Sequence, residues 1–205
     1  MSRGCNPGIS GHSKTLAALV LEYQESQKVM SGIGWNPLKS LLEAYWELPD
    51  LEKAVTSALH AEDLVGKSYR VAGDLKVRRH GHQRRIKKEA MGKALKNLTP
   101  KIQELEAVSS FEELYECICA NCKISGLGPL YLYDTSLRIG AYLKLKPKQV
   151  YLQAGALLGA RALGLDVKKS PLPLKVFREE MRILKPHEIE DFLCIYKDQL
   201  GAFKI

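Results

Sequence analysis

Residues 110–143 read SFEELYECICANCKISGLGPLYLYDTSLRIGAYL, and their apolar positions recur every three or four residues. That period places them along one face of a helix, not on alternate faces of a strand. Ser110-Phe-Glu-Glu113 has the S-x-x-E form of a capping box ahead of Leu114, Cys117 and Ile118, which predicts a helix running to about Lys123. Ile124-Ser-Gly126-Leu-Gly128-Pro129 then interrupts the pattern, and a second helix is expected over Leu130–Leu143. The unit at 111–145 is therefore two amphipathic helices joined by a tight glycine corner.

The same period extends outward in both directions. Towards the N-terminus it predicts helices over 14–30, 38–48 and 51–65, a weak stretch over 66–81 with a turn at Gly73-Asp74, and helices over 82–98 and 101–107. Towards the C-terminus it predicts helices over 147–163, 174–184 and 186–200, with Ser170-Pro-Leu-Pro173 as an extended connector. Gly155, Ala156, Gly159 and Ala160 form a small-residue face against which another helix, expected to be the one through Leu137 and Ala141, can pack closely. Almost nothing alternates with period two. The expected fold class is all-α: one compact multi-helix domain over 14–205 after a flexible 1–13, containing the hairpin-like turn and a basic segment.

The chain has 205 residues, 45% hydrophobic and 26% charged, which is the composition of a globular protein with a real core. No apolar run reaches the roughly 18 residues of a membrane span, and 1–13 lacks the apolar centre of a signal peptide, so a cytoplasmic chain with no membrane partner is expected. Five unevenly spaced cysteines argue for reduced thiols, not a disulfide framework. Cys117, Cys119 and Cys122 lack the second CxxC pair of a zinc site, so neither metal nor cofactor is expected. Walker loops, G-x-S-x-G and H-E-x-x-H are absent.

Charge is the informative quantity. Lys67–Lys101 holds twelve basic and two acidic residues, a local excess of ten, whereas the whole chain carries +8. The remainder is close to neutral, so the excess reads as a site for an anion. Its densest part is Arg78-Arg79-His80-Gly81-His82-Gln83-Arg84-Arg85, followed by Lys87 and Lys88. Arginine forks onto phosphate, and glutamine and histidine can bond sugars or base edges. A solvated basic face and a histidine pair acting as acid and base are the other readings of the same cluster. Gly126 and Gly128 add a corner whose following helix directs its first amides outward.

The I-S-G-L-G-P corner resembles the helix-hairpin-helix element of DNA-binding and DNA-repair proteins, over about twenty residues. That resemblance implies a grip on the nucleic-acid backbone, with DNA ahead of RNA as the partner. Tyr133-Asp134-Thr135-Ser136-Leu137-Arg138 further resembles the aspartate segment of helix-hairpin-helix DNA glycosylases, which implies Asp134 as a catalytic carboxylate and Arg138 among the nucleic-acid contacts. Lys123 is the nearest amine for a lyase step. The spacing departs from that family, since only five residues separate Gly128 from Asp134. Without the resemblance, Asp134 and Arg138 are an i, i+4 ion pair, and Tyr131 and Tyr133 are core residues, not base-stacking ones. The competing function is a non-enzymatic interaction module, such as a phage or toxin-system component, whose basic face binds an acidic protein.

Overall fold

The computed structural model describes residues 14–28, 37–65, 69–71, 74–76 and 79–204. The expected flexible segment 1–13 and the candidate Arg78 lie outside them. The fold is all-α. The described helices are α1 (Leu16–Ser26), α2 (Leu38–Trp46), α3 (Leu51–Leu59), α4 (Lys88–Leu98), α5 (Ile102–Ala107), α6 (Phe111–Asn121), α7 (Pro129–Tyr142), α8 (Ala154–Ala162) and α9 (Pro186–Tyr196). Two three-residue strands, β1 (Tyr69–Val71) and β2 (Asp74–Lys76), pair antiparallel with Tyr69 opposite Lys76, and Gly73 of the expected Gly73-Asp74 turn lies outside the described residues. No helix among the described residues is long and apolar enough to cross a membrane.

The chain divides into two compact units, where the sequence pattern predicts one body. One unit comprises Met1–Ser26 and Gln149–Ile205; the other is the intervening Gln27–Lys148. Each has its own cluster of buried apolar residues. Because the chain leaves the first unit and returns to it, the division lies at two crossings and no single linker marks it.

In the unit Gln27–Lys148, α7 is the central element, packed by α2, α3 and α6. Every residue from Tyr131 to Gly140 except Asp134 is buried. Asp50 and Ser110 cap α3 and α6 through the amides of Lys53 and Glu113. The Glu113 carboxylate returns to the Ser109 amide, one residue before the cap, and this hydrogen bonding holds its pKa below the usual glutamate range.

In the other unit, α8 lies against α9. A β-carbon at Gly159 would fall on the Leu193 carbonyl, and one at Gly155 on the Cys194 sulfur. The small-residue face therefore serves α9 and not the helix through Leu137 and Ala141. Tyr23 on α1 donates to Asp191 on α9 at 3.0 Å, and Glu188 accepts the Lys185 amide at 2.7 Å. Asp191 and Glu188 are thus engaged by a neighbouring helix and by the cap of α9.

Several helices are shorter than their periodicity predicts, for local reasons. Helix α3 stops at Leu59, followed by Ala61 at φ 55° and by the Glu62 carbonyl, which accepts from Tyr45. The run predicted from Pro147 becomes helical only at Ala154, because Val150 exchanges two 2.8 Å backbone hydrogen bonds with Leu172. Residues 174–184 form two 3₁₀ turns, and Arg182 donates to the carbonyls of Phe177 and Lys175.

Candidate nucleic-acid interface

The glycine corner connects α6 to α7. Leu127 N donates to Ile124 O at 2.9 Å, which closes the turn, and Gly126 sits at φ +92°, a conformation that side chains disfavour. Gly128 is the N-cap of α7 with Pro129 at the first helical position. The first intrahelical bond joins Leu132 N to Gly128 O, so the amides of Leu130 and Tyr131 precede the helical ladder. Gly126 and Gly128 are exposed, and a β-carbon at either would meet open space. The backbone here is bare enough for a phosphate to approach closely. Lys123 is exposed just before the turn.

The basic segment differs from its predicted form. A helix over 82–98 is expected, but Gly81–Gln83 make a 3₁₀ turn, Lys87 is extended at ψ 138°, and α4 begins only at Lys88. A continuous helix would place Arg84 beside Lys87 and Lys88, and Arg85 beside Lys88, at the repulsive i, i+3 and i, i+4 spacings. The loop is fastened by specific bonds instead. Arg79 Nη1 donates to Ile86 O at 2.9 Å, and His80 N donates to Ala61 O at 2.8 Å. Arg84, Arg85, Lys87 and Lys88 are all exposed and, among the described residues, form no ion pair.

Helix α4 continues the surface. Ala90, Met91, Ala94 and Leu98 are its buried stripe, while Lys93 and Lys96 are exposed. In the sequence these two lysines are part of the charge excess and lie outside the dense cluster at 78–88. Their signal is an i, i+3 pair off the apolar stripe, visible once the start of the helix is known. Asn97 Nδ2 donates to Asn121 O at 3.1 Å, tying the end of α4 to the end of α6, where the glycine corner starts.

Gln83, Asp134 and Arg138 come together in the interior. Gln83 Nε2 donates to Asp134 Oδ2 at 2.6 Å, Arg138 Nη1 donates to Gln83 Oε1 at 3.2 Å, and Arg138 Nη2 lies 3.8 Å from Asp134 Oδ2. Gln83 is 1% exposed and Arg138 2%. Grouped on sequence with the phosphate contacts, both are interior residues as folded, and their polar groups meet each other instead of solvent. Arg79 and His80 are half-buried and belong to the fastening of the loop; for His82 the backbone alone is described.

The flanking tyrosines are core residues. Tyr131 donates to Leu59 O at 2.6 Å, and Tyr133 packs edge-on to Phe111 and Tyr115 with ring centroids 6.1 and 6.4 Å away. Burial raises the Tyr131 hydroxyl above the ordinary tyrosine pKa. It likewise pushes the Cys122 thiol up to about 12 and raises Cys117 and Cys119. Among the described residues, no three His, Cys, Asp or Glu side chains gather where a metal ion could sit. No protein-family model, curated protein or solved structure matches the chain.

Proposed function

We propose that the unit Gln27–Lys148 binds the phosphate backbone of nucleic acid, DNA in preference to RNA. The contacts are Arg84, Arg85, Lys87 and Lys88, extended by Lys93 and Lys96 on α4 and by the first free amides of α7 beyond the Gly126–Pro129 corner. The observation that carries this reading is a run of exposed cations with no carboxylate partner among the described residues, on a loop fastened to the protein interior. A merely solvated basic face needs no such fastening. DNA comes first because of the resemblance of the corner to helix-hairpin-helix elements.

Binding of a labelled duplex between 50 and 200 mM salt tests it. Each neutralised phosphate contributes a slope of about −0.9 in log affinity against log salt, so six contacts lower affinity on the order of a thousandfold over that range. Arg84→Ala with Arg85→Ala should flatten the slope by about 2. No binding at 50 mM salt would overturn the reading in favour of an acidic protein partner.

Base excision at Asp134, with Lys123 as the lyase amine, is a finer version of the same reading. The Asp134 carboxylate already accepts from Gln83 and lies beside Arg138, and Tyr131 and Tyr133 are buried in the core. These observations favour a binder. Incubation with duplex carrying damaged bases should release no free base; release abolished by Asp134→Asn would make the protein an enzyme.

A further inference from the structure

The Gln83 amide is a hydrogen-bonded link between the basic loop and α7, and it uses both of its ends. Its NH2 group donates to Asp134 and its oxygen accepts from Arg138. The amide thus lies between the two members of an i, i+4 ion pair whose own separation, 3.8 Å, is too long for a hydrogen bond. The Arg138 Nε is buried without a partner among the described residues, so this guanidinium depends heavily on the groups it does meet. Gln83 immediately precedes Arg84 and Arg85. With residue 83 turned inward and the chain helical at Arg84 (φ −60°, ψ −28°), the next two side chains emerge into solvent.

Resting on the phosphate-binding reading, we infer that Gln83 is the positioning residue of the interface: it touches no nucleic acid and sets Arg84 and Arg85 against it by clasping α7 at Asp134 and Arg138. The ordering entropy of the loop is then spent on folding and not on binding. Direct readout of bases by Gln83 is incompatible with its burial, although a glutamine within an arginine cluster invites that reading.

The test is an exchange of amide and carboxylate. Gln83→Glu alone sets a second carboxylate against Asp134, and Asp134→Asn alone leaves Arg138 without its counter-charge. Combined, these isosteric changes put an amide at 134 that donates to a carboxylate at 83, which also accepts from Arg138, with net charge unchanged. Duplex affinity across a salt series, and amide hydrogen exchange over 79–87 in the free protein, are read for the wild type, both single variants, the pair and Gln83→Ala. We expect each single variant to lose about tenfold or more in affinity with faster loop exchange, and the pair to return within about threefold of wild type in both. Gln83→Ala should lower the salt slope by at least about 1 while the rest of the unit keeps its protection.

Unchanged affinity and salt slope in Gln83→Ala would overturn the positioning role while leaving the phosphate-binding reading intact. So would a pair no better than its worse single variant. If the wild type binds no duplex, the binding reading itself fails, and the exchange measurement still reports separately whether Gln83 orders the loop.

Discussion

Arg138 is held inside α7 by two side chains, Asp134 one turn earlier and Gln83 from the loop. Removing one member of a buried charge pair leaves the other uncompensated, at a typical cost of about 3–5 kcal/mol. The Asp134 side chain keeps 18% exposure, so water can meet part of its need, and Arg138→Leu should fall at the low end, about 3 kcal/mol, by urea unfolding. An unchanged midpoint would mean that the cluster contributes nothing to stability. The i, i+4 spacing made the pair visible in the sequence; the glutamine between its members was not, because it arrives from 51 residues away. Buried acids add a pH dependence. Burial raises Cys122 to about 12 and lifts Tyr45 and Tyr131 above the ordinary tyrosine value, with Tyr23 raised in the same way in the other unit. The folded protein keeps these protons at pH values where the unfolded chain has lost them. Stability is therefore fully present below about pH 9 and decreases above it, by about 1.4 kcal/mol per pH unit for each group involved. Urea midpoints that stay level from pH 8 to 11 would contradict this.

Elements whose ends carry their own chemistry were legible, and elements fixed by distant partners were not. Helix α6 begins after Ser110, where the capping box predicts, and Ser110→Ala should cost about 1 kcal/mol by thermal or urea unfolding. Val150 and Leu172, by contrast, pair across 22 residues and keep 150–152 extended despite helical periodicity. Arg79 likewise ties off the loop before α4 by a bond to Ile86 that no local pattern announces. The small face of α8 was readable as a close-packing surface, but periodicity does not say which helix meets it. Gly159→Ala should be strongly destabilising, about 2 kcal/mol or more, since the added carbon meets the α9 backbone, which cannot step aside as a side chain could. Gly128→Ala differs. Its φ of −85° suits any residue and its surroundings are open, so the variant should fold as well as wild type. Against a bound backbone the extra carbon should crowd a phosphate, and a selective loss of duplex affinity is the expected outcome.

At the scale of the molecule, the all-α class follows from the pervasive 3.6-residue period, and the two-unit division was hidden because the first unit is discontinuous in sequence. The charge excess was readable as a count, and the structure adds its arrangement: exposed Arg84, Arg85, Lys87, Lys88, Lys93 and Lys96, with Arg79 turned to internal use. Both the cations and the glycine corner belong to the unit Gln27–Lys148, so polyanion binding should be a property of that unit. Amide hydrogen exchange of the full chain, with and without a short DNA duplex at low salt, tests this most directly. The account predicts slowed exchange over 84–97 and 126–131 and unchanged exchange over 149–200. Protection confined to 149–200, or none at saturating duplex, would contradict it.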